Sequence, residues 1–244
     1  MDEYKILADV YDILNPREEI ISKKPFFETL IKKYSVIRIL DCACGTGLHL
    51  SMFHDMGLGC FGSDKSPDML AVAKRNLEGK YIPLKIADFR TLDQIWGDTY
   101  DMVVCLTTSL PHMMTDEDVV KALTSMHERV ADNGILVITN GITDALLNSK
   151  PKFIPARVNE NDAFYFILEY TEDLSMAFNI LYVKKTDKSF DHLFTTVKYN
   201  AMRKSVLERC FARTKFTDVS YYGDYGFGTY DPGSSSHLIV VARK

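Results

Sequence analysis

From residue 36 to residue 139 the chain alternates short, branched apolar runs with longer amphipathic stretches. Residues 36–40, 59–63, 81–87, 100–106 and 135–139 have the length and β-branched content of strands. Residues 48–56, 66–76 and 116–130 carry apolar positions at helical spacing. Ser66-Pro67-Asp68 is a strong helix opening: a hydroxyl to cap, a proline in the first turn, and an acid facing the positive helix end. Thr115 caps the third helix in the same way, and Asn133-Gly134 turns the chain into the next strand. Repeated strand–helix units of this size predict an α/β fold, a doubly wound and mostly parallel sheet with right-handed crossovers and helices on both faces. In such a sheet the ligand crevice lies at the carboxyl ends of the strands.

Past residue 140 the rhythm changes. Residues 163–170, 176–184 and 193–199 alternate or run apolar, with a polar turn at 171–173, and predict an antiparallel three-stranded insert. A helix at 204–211 and strands at 217–222 and 237–242 then return to the main sheet, which makes it seven-stranded. Because no Pro/Gly/Ser-rich linker intervenes, the expectation is one domain over 1–244 with a cap insert at 145–203.

The chain has 244 residues, with 29 Lys and Arg against 33 Asp and Glu, a formal charge of −4. Phosphate neutralisation favours a basic surplus, so no nucleic-acid partner is expected. Five cysteines in a chain of this length do not suggest a disulfide framework, and Cys42-Ala-Cys44 lacks the two-residue gap of redox or zinc pairs. Reduced thiols, no metal and no membrane association are expected. No run approaches the roughly 20 apolar residues of a membrane span, and the acidic start has no apolar signal core, so the expected location is cytoplasmic.

The sharpest local feature is Leu40-Asp-Cys-Ala-Cys-Gly-Thr-Gly47, a strand running through small residues into a helix. Small residues at 43, 45 and 47 let the backbone approach a ligand, and the helix start offers unpaired N–H groups. Asp64 closes the next strand, nineteen residues beyond Gly45, where a carboxylate accepts ribose hydroxyls. Asp88 and Phe89 close the third, beside the place for a base. A dinucleotide site would want glycine at 50, where this chain has leucine, and no Walker lysine is present.

These stretches, with Ser63-Asp64-Lys-Ser-Pro-Asp-Met69-Leu70, Ala87-Asp88 and Tyr100-Asp-Met-Val-Val-Cys105, resemble the successive motifs of class I S-adenosylmethionine-dependent methyltransferases, whose sheet is Rossmann-like. Within them the chain is similar to glycine/sarcosine N-methyltransferases and amino-sugar N,N-dimethyltransferases, through Tyr11-Asp12 and through Cys105-Leu-Thr-Thr-Ser109-Leu-Pro-His112-Met113. The resemblance implies S-adenosylmethionine as cofactor and S-adenosylhomocysteine as product. By it, the backbone around Asp41, Ala43, Gly45 and Gly47 cradles the methionyl part, and Asp64 holds the ribose. Lys65 and Met69 flank the adenine, Asp88 and Phe89 meet its edge and face, and Leu106 offers its carbonyl to the cofactor's amino group. Arg17 is the candidate for the cofactor's carboxylate.

Methyl transfer to an amine is an in-line displacement that requires alignment and exclusion of water more than any metal or covalent intermediate. A proton must also leave the nitrogen. His112, just after the fourth strand, is a candidate base, because an ordinary imidazole titrates near neutrality. Tyr11 is the candidate for aiming a hydroxyl at the sulfonium or the nucleophile. The expected partner is a small-molecule methyl acceptor, with N-methylation ahead of O-methylation and of a non-catalytic cofactor-binding module; a homo-oligomer is left open. In glycine N-methyltransferases an arginine after the fifth strand grips the substrate carboxylate. Gly141 stands there in this chain, which argues against glycine unless Arg157 or Arg203 reaches in.

Overall fold

The computed structural model describes residues 4–171 and 175–244. Three helices precede the first strand: α1 (Tyr11–Leu14), α2 (Arg17–Ser22) and α3 (Lys24–Tyr34). Then follow β1 (Arg38–Asp41), α4 (Leu48–Asp55), β2 (Gly59–Asp64), α5 (Pro67–Asn76), β3 (Leu84–Ile86) and β4 (Tyr100–Cys105). The strand–helix series closes with α6 (Asp116–Arg129), β5 (Val130–Asn140) and α7 (Asp144–Ser149). The predicted caps are in place: Ser66 accepts from the Met69 N–H, and Thr115 from the Asp118 N–H.

The order across the main sheet is β10-β11-β5-β4-β1-β2-β3, where β10 is Thr217–Tyr222 and β11 is Leu238–Arg243. All neighbours are parallel except that β11 runs against both β5 and β10. From β1 the chain winds outward through β2 and β3, then restarts on the other side at β4. The seam between β1 and β4 is therefore the topological switch point, where loops part and a crevice opens. Successive strand residues point to opposite faces. Val103 and Cys105 face Leu123 and Met126 of α6 and Leu207 and Phe211 of α8 (Lys204–Phe211); Met102 and Val104 face Phe26 and Phe27 of α3 and Leu50 and Phe53 of α4.

The insert forms a second sheet with four strands, not the expected three: β6 (Phe153–Val158), β7 (Asp162–Tyr170), β8 (Ser175–Lys185) and β9 (Phe190–Asn200), paired antiparallel in that order. The additional strand, β6, carries Pro155, which has no N–H for a ladder; an edge position tolerates it, and β6 is an edge. The turn expected at 171–173 falls largely outside the described residues. One face of the sheet, with Phe164, Leu168, Met176, Ile180, Val197 and Tyr199, packs on Leu7 and on the half-buried Tyr4 and Tyr11 of the N-terminal segment. That segment thus lies between the cap and the tips of the main sheet. Two boundaries also differ from expectation. β3 begins at 84 because Pro83 cannot donate to the ladder, and β5 begins at 130 because Asn133, with φ +63°, makes an irregularity within the strand.

Candidate active site

A cavity of about 770 Å³ opens over the tips of β1, β2 and β4, roofed by the N-terminal segment and the end of β9. Among the residues that line it are Tyr11, Ala43, Gly45, Asp64, Lys65, Met69, Asp88, Phe89, Leu106 and His112, so ten of the thirteen predicted site residues come together.

The turn after β1 is shaped from beneath. Asp41, only 1% exposed, accepts a hydrogen bond from the Ala43 N–H at 3.2 Å. Burial, and secondarily the nearby Asp64 carboxylate, push Asp41 up to about 7. Asp41 supports the turn without reaching the cavity. Gly45 (φ +52°) would carry a side chain into open space on the ligand side, whereas a Cβ on Gly47 (φ +81°) would sit 3.0 Å from Leu77. Gly47 therefore serves close packing of α4 on α5 rather than lining the cavity. The Gly45 N–H donates to Asp64 at 2.8 Å and the Ser66 N–H donates to it at 2.9 Å, which ties the turn to the end of β2.

At the next strand tip, Arg90 donates to Asp88 through its backbone N–H and two guanidinium nitrogens at 2.7 to 3.2 Å and to Asp118 of α6 at 2.9 Å. Burial alone would push Asp88 up, but the Arg90 bonds and the Lys65 ammonium outweigh it and hold the carboxyl below its ordinary range. Arg90 went unsingled in the sequence; only its spacing of two from Asp88 hints at this clamp.

The other end of the cavity is aromatic. The Tyr4 hydroxyl lies 2.8 Å from His112 Nε2 and 3.1 Å from the Tyr199 hydroxyl, and the Tyr4 ring stands edge-on to His112 at 5.6 Å between centroids. His112 sits in the short 3-10 turn Leu110–His112 behind β4. Burial, reinforced by the neighbouring Tyr199, raises the Tyr4 and Tyr11 phenols well above the ordinary range, so both remain neutral near pH 7. Tyr4 was not foreseen: its partners lie 108 and 195 residues away in sequence, and no periodic signal connects them. The segment that carries it is fastened at Asp12, which accepts from Thr46 Oγ1 at 2.5 Å and from Asn76 Nδ2 at 2.7 Å.

Arg17 stands elsewhere. Its guanidinium donates to Ser51 at 3.4 Å and to Asp55 at 3.5 Å on the outer side of α4, beside a separate hollow of about 120 Å³. The two arginines considered for a substrate carboxylate are also turned away. Arg157 pairs with Glu19 and donates to the Leu14 carbonyl, and Arg203 donates to Asp144 at 3.1 Å and to Asn148 at 2.9 Å.

The residues present suit an adenosyl sulfonium ligand. Space is open above Gly45, carboxylates stand at two successive strand tips, and the far end offers aromatic rings and an imidazole where the sulfonium would lie.

Residues 39–134 match the family model described as a methyltransferase domain. The chain is 27% identical to a glycine/sarcosine N-methyltransferase of Aphanothece halophytica over 96% of this chain and 86% of that protein. Over a shorter stretch, 41% of this chain and 39% of the relative, it is 32% identical to a dTDP-4-amino-2,3,4,6-tetradeoxy-D-glucose N,N-dimethyltransferase of Saccharopolyspora spinosa. The fold is that of an S-adenosylmethionine-dependent methyltransferase from Clostridium acetobutylicum, with a TM-score of 0.82 at 14% identity, covering 98% of each chain.

Proposed function

We propose that this chain, which belongs to the S-adenosylmethionine-dependent methyltransferases, methylates the nitrogen of a small-molecule amine in the cavity between its sheet tips and its cap. The observation that carries the reading is the hydrogen-bonded group of His112, Tyr4 and Tyr199 at the cavity's aromatic end, opposite the strand-tip carboxylates. Amine substrates in the names of the relatives, glycine, sarcosine and an amino sugar, support nitrogen as the nucleophile.

When bound, S-adenosylmethionine supplies a methyl group on a positively charged sulfur. In this reading Asp64 accepts the ribose hydroxyls, Asp88 and Phe89 meet the adenine edge and face, and Lys65 and Met69 flank it. The Ala43 and Gly45 backbone passes beneath the methionyl chain, and the Leu106 carbonyl accepts from its amino group. Tyr11 and Tyr4, both neutral, present oxygen lone pairs to the cationic region without bringing a counter-charge that would have to be desolvated. The nucleophile must reach the methyl carbon as a neutral amine. Tyr4 accepts the departing proton at its oxygen and passes its own to His112 Nε2 across the 2.8 Å contact. The N-terminal segment and the cap keep water from this end.

With Arg157 and Arg203 engaged elsewhere and Gly141 after β5, the carboxylate grip of glycine N-methyltransferases is missing, so the acceptor is an amine other than glycine itself. The test is a panel of amines, amino sugars, amino acids, alcohols and carboxylates, read by S-adenosylhomocysteine release and by mass of the product. Methylated nitrogen in at least one amine is expected. Transfer only to oxygen, or cofactor binding with no transfer to any class, overturns the reading.

A further inference from the structure

One polar group in the cavity has no role in the account above. His49, the second residue of α4, is only 9% exposed and lines the cavity beside Asn15, Ile20 and Leu48. Neither the His49 imidazole nor the Asn15 amide has a hydrogen-bond partner within the protein among the described residues. A polar ring buried to this degree is costly without a partner, so a site that leaves it facing a cavity is built for a ligand group.

The surroundings say which group. Burial, and then the Lys23 ammonium nearby, lower His49 to about 3, and no carboxylate stands close enough to oppose that shift. The helix at whose start it lies has Gly47 at the N-cap, which has no side chain to accept from the first-turn N–H groups, and no acid in that turn. A helix start of this kind attracts negative charge. The acid that approaches the turn, Asp12, is engaged by Thr46 and Asn76. Two polar side chains and a helix start thus face one lobe of the cavity, on the cavity side of Leu48, while Arg17 lies on the other side of that residue.

Building on the cofactor reading above, we infer that His49 and Asn15 seat the carboxylate of the cofactor's methionyl chain, His49 donating from its ring and Asn15 from its side-chain amide. This gives the role expected of Arg17 to residues that the fold brings together. It also accounts for a buried, partnerless imidazole.

Calorimetric titration with two compounds tests this without turnover. S-adenosylhomocysteine has the carboxylate; 5′-methylthioadenosine has the same adenosine and sulfur but no carboxylate. His49→Leu is expected to weaken S-adenosylhomocysteine roughly 10-fold or more, the loss expected for a hydrogen bond to a charged group, with 5′-methylthioadenosine unchanged. His49→Gln keeps a donor and should fall between. Equal losses for both compounds, or none, overturn the inference. Should His49→Leu fail to fold, Asn15→Leu with His49→Gln makes the same comparison, and unchanged selectivity in both overturns it equally. A wild-type protein that binds neither compound sinks the cofactor reading itself, and this inference with it.

Discussion

Two buried groups at the site titrate in opposite senses, which makes the pH dependence of stability a sharp test of how the turn region is built. His49 stays neutral in the folded protein down to about pH 3, while an unfolded histidine protonates near its ordinary 6.5. Below that ordinary value the unfolded chain holds the extra proton, so stability falls as pH falls from 6.5 toward 3. Between pH 7 and pH 5 this amounts to about 2 kcal/mol. Asp41 does the reverse. Its folded value of about 7 lies above the unfolded 3.8, so between those limits the folded state holds the extra proton and stability rises as pH falls. Over the same interval the gain is also about 2 kcal/mol. In the wild type the two nearly cancel. Asp41→Asn, which keeps an oxygen for the Ala43 N–H, removes only the acid-side gain and should lose about 2 kcal/mol relative to wild type between pH 7 and 5. His49→Leu should gain about as much relative to wild type over the same interval. Denaturant midpoints at the two pH values measure both, and other titrating groups drop out of the differences. Three parallel profiles would refute the reasoning, because neither group would then have a displaced pKa.

Three further outcomes follow from the geometry. His112→Ala and Tyr4→Phe each break the proton relay and should each lower kcat by roughly 10²- to 10⁴-fold, with S-adenosylhomocysteine affinity within about twofold of wild type in both; calorimetry beside turnover separates these. Gly62→Ala would put a Cβ 2.5 Å from Leu50 Cδ1 and 2.8 Å from Leu84 Cδ2, and overpacking of this kind should cost about 1–3 kcal/mol in a denaturant titration. Asp12→Ala unfastens the N-terminal segment from Thr46 and Asn76, so amide exchange over residues 4–15 should quicken about 10-fold while the β4 amides keep their protection.

The parts of the fold visible in the sequence are those set by local chemistry. Ser66-Pro67-Asp68 and Thr115 mark helix starts because a cap needs only a side chain and an N–H three residues on. The β4 run of Met102 to Cys105 declares a strand buried on both faces, since no residue in it is polar. Where the local rule is ambiguous the reading slips: Pro155 disguises an edge strand, and Pro83 shortens β3. The same division holds at the site. Gly45, Asp64 and Asp88 sit at fixed spacings after strands, and the cavity gathers all three. Tyr4 depends on β9 folding back over the main sheet, and the lean of Arg17 toward Asp55 depends on how α2 packs on α4; no spacing encodes either. His49 was visible only as a helix residue, because nothing in the sequence says which side of α4 meets the crevice.

The central claim is that an adenosine lies across the tips of β1, β2 and β3, and a crystal structure with S-adenosylhomocysteine bound tests it most directly. The account predicts both ribose hydroxyls within hydrogen-bond distance of Asp64 and the adenine edge at Asp88. Nucleoside density anywhere else, or a crevice closed by its own side chains with the compound absent at saturating concentration, would contradict it.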